Sequence, residues 1–357
     1  FEIEPRPTPT PKTESSDSVF DVARRVFGAE ILRRSYRTTS QTLAALINRE
    51  FYQNRISYIP SAAEYFGETN FLLDVVGEGN RAKTTIEGAT ESLDAEVDRV
   101  VELVFNHAHW HPEQSLLVAS ASTVHAERIR AAITSGLHQR PDLAEFFEAH
   151  GRERFEVAPI ADLTLRVADR VIFSIGFGRT SHGAVLSNFG QLSEPEGRRN
   201  LANLLVGAKR QITVVSCFGP EDVPTDRLSN GALLLADLLT AATASPEVNQ
   251  IANDPMLTDL GLRLKKLGAR VEEGYSKELP LIVAFAKNAV VIEPDWSIPG
   301  ANRTERFKIR PGLIKSLGWK YQRVFSFELF SDPQALALRI AESLGMQVSK
   351  RPLPLFD

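Results

Sequence analysis

The chain has 357 residues, 43% hydrophobic and 24% charged, the balance of a globular protein long enough for two or three domains rather than of a disordered one. A formal net charge of −4 excludes a polycation that coats nucleic acid non-specifically, so any nucleic-acid site must be local. The one cysteine, Cys217, excludes an internal disulfide and a cysteine-based zinc cluster; no apolar run is long enough to span a bilayer, and the start carries neither a secretory nor a transit signal. A cytoplasmic protein with no membrane partner is expected.

Residues 1–16, FEIEPRPTPTPKTESS, are rich in Pro, Thr and Ser without periodicity and read as a flexible linker. Order is expected from residue 17, where Asp17 or Ser18 can cap a short helix that Gly28 ends. AEILRRSYR reads as a short strand running into a loop. In TSQTLAALINREFY, Leu43, Leu46, Ile47 and Phe51 fall on one helical face behind a Thr39/Ser40 cap. A β-rich stretch then ends in FLLDVV. Leu93, Val97, Val100, Val101 and Val104 recur at helical spacing, SLLVAS (115–120) reads as a strand, and 123–137 as an amphipathic helix. Strands follow at FEVAPI and DRVIFSIGF, then a helix at NLANLLVGAK with Leu201, Leu204, Leu205 and Ala208 aligned. QITVVSC reads as another strand, with Cys217 a small buried residue on it. Strands alternating with helices indicate an α/β fold with a mainly parallel sheet.

The stretch ASPEVNQIANDP (244–255) breaks this rhythm and marks a boundary between domains 17–245 and 246–349, with 350–357 as a tail. The second domain reads as a compact αβββαβα-like unit. It has a helix carrying Leu257, Leu260, Leu264 and Leu267, strands at LPLIVAFA and AVVIEP, a helix near 311–317, a strand at WKYQRVFSF and a last helix from Pro333 to Leu344.

No G-x-x-x-x-G-K-S/T occurs, so no P-loop of this chain can cradle nucleotide phosphates, and no strand offers a plausible acidic Walker B motif. By itself the chain is not expected to hydrolyse ATP. The run HAHWHPE puts His107, His109 and His111 at alternate positions, which suits a metal only in an extended segment with a further ligand; a solvated loop at a helix end is the expectation. GEGNRAK and GFGRTSHG lack the strand and helix context of a dinucleotide fingerprint and read as turns. The basic cluster RTERFKIRPGLIK (303–315), with Trp296 and Trp319 near it in sequence, reads either as a track for a phosphate backbone with stacking bases or as a solvated helix face. Arg303, Arg306, Lys308 and Arg310 are its candidate contacts.

Several blocks in order resemble the superfamily 1 DNA/RNA helicases, of the 1B subgroup. SVFDVARRVFGAEILRRSYRTTSQTLAALINREFYQNRISYIPS is similar to the segment with a Tyr-Arg followed by a helix ending in Asn-x-x-Phe-Tyr. DRVIFSIGFGRTSHGAVLSNFGQLSEPEGRRNLANLLVGAKRQITVVS is similar to the stretch carrying motifs V and VI, down to the NFG-x-L element at Asn188–Leu192. The resemblance implies a RecA-like (P-loop NTPase-type) second helicase domain in which Tyr36 and Arg37 face a nucleotide. Arg34 and Thr38, in the same loop, are candidate nucleic-acid contacts. It also implies ATP and Mg in the intact family, no cofactor for this chain in isolation, DNA or RNA as partner, and a first RecA-like domain upstream. Motif V, however, aligns with Thr164, Leu165 and Val167, and motif VI with Val206, Gly207, Ala208 and Lys209, so glycine stands where the arginine finger is expected. Such an arginine is worth about 10³–10⁵ in rate because it neutralises charge developing in phosphoryl transfer. Lys209 and Arg210 lie near, but a lysine does not reproduce the planar fork.

The C-terminal hundred residues resemble a Vsr-type member of the PD-(D/E)xK nuclease group, which implies a small α/β restriction-endonuclease-like domain with Glu293 and Asp295 as metal ligands. The partner strand offers Pro280 or Leu281 where the metal-binding aspartate is expected. Three readings follow: the C-terminal part of a helicase-like nucleic-acid-processing protein, inactive in isolation; a non-catalytic scaffold binding nucleic acid or protein; and a metal-dependent nuclease.

Overall fold

The structure is a computed structural model that describes residues 19–28, 34–35, 40–77, 83–84, 89–148, 154–163, 166–180, 182–243, 254–296 and 303–347. The chain divides into two compact units, Phe1–Ser57 with Asn70–Ser245, and Tyr58–Thr69 with Pro246–Asp357. The boundary read near residue 245 is therefore accompanied by a second crossing, because a short internal segment of the N-terminal half belongs to the C-terminal unit.

The first unit begins with α1 (Val19–Phe27) and α2 (Gln41–Tyr52). Ser40 caps α2 by accepting from the Leu43 N–H at 3.4 Å, as the Thr39/Ser40 reading expects. After the short helix α3 (Ala62–Tyr65) of the other unit come β1 (Phe71–Val75), β2 (Lys83–Thr84), β3 (Ala89–Glu91), α4 (Asp94–Trp110), β4 (Leu116–Ser120), α5 (Thr123–Leu137) and α6 (Ala144–Glu148). The unit continues with β5 (Phe155–Pro159), β6 (Ala168–Ser174), β7 (Phe177–Thr180), α7 (Gly197–Gly207), β8 (Ala208–Ser216) and α8 (Asn230–Thr243). Five strands form one sheet in the order β1-β8-β6-β4-β5, and every pairing in it is parallel. β2, β3 and β7 form a small antiparallel sheet.

An all-parallel sheet needs cover on both faces, and the strands here read as near-continuous apolar runs for that reason. Leu117, Ala119, Val171, Phe173, Ile212 and Val214 pack with α2, α7 and α8, while Leu116, Val118, Ile172 and Val215 pack with α4 and α5. The expected α/β arrangement of a mainly parallel sheet flanked by helices is the one observed. The turn at Ile175–Gly176 ends β6 and sends the next strand into the small sheet, so DRVIFSIGF is two strands and not one. Helices α7 and α8 meet backbone to backbone, since a Cβ on Gly231 would lie 2.5 Å from the carbonyl carbon of Gly197.

A polar chain runs through the core of this unit. Ser174 Oγ donates to Glu96 Oε2 at 2.8 Å, and Gly176 N–H donates to the same oxygen at 2.8 Å. With its hydrogen spent there, Ser174 Oγ accepts from His125 Nε2 at 2.8 Å, so Nδ1 is the acceptor that takes the Ser92 hydroxyl at 2.8 Å. Ser92, Glu96, His125 and Ser174 are all fully buried. Burial raises the Glu96 pKa to about 7 and, with the nearby Arg128 charge, lowers that of His125 to about 3.

The second unit consists of α3, α9 (Pro255–Lys266), β9 (Arg270–Ser276), β10 (Leu279–Phe285), β11 (Asn288–Pro294), α10 (Arg310–Ser316), β12 (Lys320–Val324), α11 (Ser326–Ser331) and α12 (Pro333–Ser343). Its sheet runs β12-β11-β10-β9, antiparallel except for the parallel pair β11–β12. Leu257, Leu260 and Leu264 of α9 and Leu336, Ala337 and Ile340 of α12 cover one face; Ile59, Ala62, Tyr65, Ile314 and Trp319 cover the other. Trp319 is buried and donates its indole N–H to the Pro60 carbonyl at 2.8 Å, which fastens the internal segment to this unit. Among the described residues no helix is long and apolar enough to cross a membrane.

Candidate functional site

The residues expected to face a nucleotide (Tyr36, Arg37, Lys209, Arg210), those expected to contact nucleic acid (Arg34, Thr38) and the motif V and VI positions are placed as follows. Tyr36, Arg37 and Thr38 lie outside the described residues, as do Thr164 and Leu165. Arg34 is half-buried, and its backbone forms an isolated parallel bridge with Ser57. Lys209 and Arg210 are exposed at the start of β8, where Arg210 lies 3.7 Å from Asp169. Gly207 ends α7, and a Cβ built on it would lie 2.4 Å from the carbonyl oxygen of Arg166. The position read as that of the arginine finger therefore has backbone where a side chain would begin.

Of the two arginines in α7, Arg199 pairs with Glu196 at the surface and Arg198 is used for packing. Arg198 donates to Glu50 Oε2 at 2.9 Å and lies 5.0 Å from the centroid of the Phe51 ring. Burial works against the charge of Glu50, but hydrogen bonds from Arg49 and Arg198 outweigh it and leave the pKa lowered. This joins the NREFY end of α2 to the start of α7.

In the second unit, Glu293 is fully buried and both of its oxygens are taken. Oε1 accepts from Arg310 Nε, while Oε2 accepts from the Tyr321 hydroxyl at 2.7 Å and from Arg323 Nη2 at 3.2 Å. Glu293 and Arg323 are direct partners in the β11–β12 register. Arg310 also pairs with the carboxylate of Glu278 and donates to its carbonyl. Burial disfavours the charge on Arg310, yet Glu293 and Glu278 more than offset it and raise its pKa. Burial and the Glu293 carboxylate likewise push the Tyr321 pKa up.

The side chains named from the sequence lie as follows. Glu293 and Asp295 do not converge on a cation: β11 ends at Pro294, and Asp295 sits in the following turn, accepting from the Ser326 N–H at 3.2 Å. The guanidinium of Arg310 spans Glu278 and Glu293, where the nuclease resemblance calls for a metal. No group of three or more potential metal ligands occurs among the described residues. Arg310, expected to touch nucleic acid, is buried; Arg303 and Lys308 are exposed and Arg306 is half-buried. The tryptophans expected to stack bases are engaged as well, Trp319 in the core and Trp296 through its indole N–H to Asp254 Oδ2 at 2.6 Å.

Among the described residues of this unit the most exposed aromatic rings are Phe307, Phe327 and Phe330, at 60%, 66% and 77%. Phe307 lies within the basic cluster, and its ring centroid is 4.6 Å from the Arg323 guanidinium carbon. The sequence carried a signal for Phe307, an aromatic between Arg306 and Lys308. It carried none for Arg323, whose role comes from the parallel pairing of β12 with β11. In the histidine run His107 is buried near the end of α4, with Nε2 2.9 Å from the Gln114 carbonyl and burial lowering its pKa to about 4, while His109 is exposed and His111 half-buried.

The sequence matches no family model and no curated protein. Among solved structures the chain is similar to the C-terminal domain of a possible DNA helicase from Lactobacillus plantarum WCFS1, at 16% identity over 51% of this chain and 87% of that one, with a TM-score of 0.27. It is also similar to the large terminase of bacteriophage HK97, at 9% identity over 79% of this chain and 70% of that one, with a TM-score of 0.31. A fold leaves function to be argued from the site.

Proposed function

We propose that this chain is a nucleic-acid-binding portion of a helicase-like protein and that it is catalytically silent in isolation. The observation that carries the reading is the closure of position 207, where the Arg166 carbonyl occupies the space a side chain would need. The order of the helicase-like sequence blocks supports the ancestry, and the lack of a P-loop motif supports the loss of motor chemistry in this chain. ATP and Mg belong to the intact helicase family; the residues around Gly207 do not fit a phosphoryl-transfer role, and no step is assigned to them. DNA or RNA is the proposed partner because Arg303, Lys308 and Phe307 present charge and an aromatic face together. An upstream RecA-like domain would be the second partner.

The nuclease reading is disfavoured by chemistry. A divalent cation needs free carboxylate oxygens, and at Glu293 it would have to displace two guanidinium groups and a tyrosine hydroxyl. The test is fluorescence anisotropy of the whole chain with labelled single-stranded and duplex DNA and RNA at about 50 and 200 mM salt, with ATP turnover measured in parallel. Salt-sensitive binding without turnover is expected. Absence of binding at low salt would replace the reading with a protein-binding scaffold, and ATP turnover by the purified chain would refute its silence.

A further inference from the structure

Among the described residues of the second unit, Arg323 has the most buried side-chain nitrogens without a hydrogen-bond partner. Its side chain is 9% exposed, and Nη2 makes both of its hydrogen bonds, to Glu293 and to the Arg306 carbonyl at 2.7 Å. Nε and Nη1 are buried and have no hydrogen-bond partner. Buried donors without acceptors are rare in folded proteins and call for an explanation such as a ligand. The carboxylate in reach, Glu293, is shared with Arg310 and Tyr321 and accepts only one hydrogen bond from Arg323.

The cover over this guanidinium is Phe307. One face of its ring meets Arg323 and the ring is 60% exposed, so it is packed on one side and open on the other. It stands on the five-residue π-helical turn Glu305–Ile309, flanked by exposed Lys308 and, one turn away, exposed Arg303. Irregular helical turns of this kind are frequent at functional sites. A ring with a cation beneath it and solvent above it suits a stacked base, and the spare donors below suit a phosphate oxygen.

The geometry points to a nucleotide seat built from Phe307 and Arg323. A base of single-stranded nucleic acid stacks on the open face of Phe307, and a backbone phosphate takes the unused donors of Arg323 as the ring shifts aside. The guanidiniums of Arg310 and Arg323 together balance the carboxylates of Glu278 and Glu293, so no negative charge is left over to repel a phosphodiester and the spare donors of Arg323 are available to it. This rests on the nucleic-acid reading above and names where the strand is held.

The test is anisotropy of a labelled oligothymidylate with the whole wild-type chain, Phe307→Ala, Phe307→Trp and Arg323→Gln. Phe307→Ala is expected to weaken binding about tenfold and Phe307→Trp to retain it; Arg323→Gln is expected to lower the log–log salt slope by about one. Inorganic phosphate at matched ionic strength is expected not to compete; displacement by low-millimolar phosphate would assign the seat to a free anion and overturn the strand proposal. Wild-type binding that is unchanged in Phe307→Ala and Arg323→Gln would overturn the seat and leave the broader reading standing. No wild-type binding would remove both. Should Arg323→Gln fail to fold, the Phe307→Ala and Phe307→Trp pair decides, since that ring is mostly in solvent.

Discussion

Gly207 and Arg166 meet so closely that a Cβ at position 207 would lie 2.4 Å from the Arg166 carbonyl oxygen. The obstacle is main chain, which a rotamer change cannot relieve, so the position that the helicase resemblance assigns to an arginine has been built into the packing of α7.

Placing an arginine there, as in the helicases the sequence resembles, should therefore harm this chain. Gly207→Arg is expected to lower thermal stability and to give no ATP turnover. Gly207→Ala, the smallest intrusion, is expected to cost about 1–3 kcal/mol, the usual price of overpacking, read as a fall of several degrees in the melting of the first unit. An alanine variant as stable as wild type would show that α7 can move away from Arg166.

At Glu293 the expected effect is on stability and not on cleavage. Glu293→Ala leaves Arg310 and Arg323 buried without their shared carboxylate, and breaking such a buried pair costs about 3–5 kcal/mol. Chemical denaturation of wild type and variant measures the loss. Magnesium and chelator are expected to leave the wild-type transition in place; a clear stabilisation by magnesium that vanishes in Glu293→Ala would restore the metal reading.

The Ser92–His125–Ser174–Glu96 chain makes stability depend on pH in two opposing ways. Glu96 has a folded pKa of about 7 against an ordinary 4.5, so the native state holds its proton more tightly and the stability it contributes is lost as pH rises from 4.5 to 7. His125 has a folded pKa of about 3 against 6.5, so its contribution is present above 6.5 and is lost as pH falls toward 3. Between 4.5 and 6.5 the two slopes offset. Glu96→Gln, which mimics the protonated acid, removes the first and should make stability rise with pH across that window, by up to roughly 3 kcal/mol relative to wild type. Thermal melts at pH 4.5, 5.5, 6.5 and 7.5 test this, and parallel profiles for the two proteins would contradict it.

Much of the α/β order was legible because strands buried on both faces and helices with one apolar stripe leave their periods in the sequence. The reading of 123–137 as a helix and of 115–120 as a strand agrees with α5 and β4. Helix α8 was not read, since NGALLLADLLTAAT is apolar almost all round and carries no clean stripe. WKYQRVFSF stops being a strand at Val324, where Glu328 accepts from the Phe325 N–H and starts α11. The attachment of segment 58–69 to the second unit was not legible, because its anchor, the Trp319 indole on the Pro60 carbonyl, is a contact over 259 positions that no local pattern encodes. The same holds at the site: Glu293 was found as an acid on a strand, while the arginines that pair with it come from α10 and β12.

The most direct measurement is photo-crosslinking of the whole chain to a single-stranded oligonucleotide carrying thiothymidine, followed by mass mapping of the linked peptides. Crosslinks concentrated in residues 303–330, with Phe307 among them, and no ATP turnover in the same preparation are the expected result. Crosslinks confined to the first unit, or none at low salt, would contradict the account.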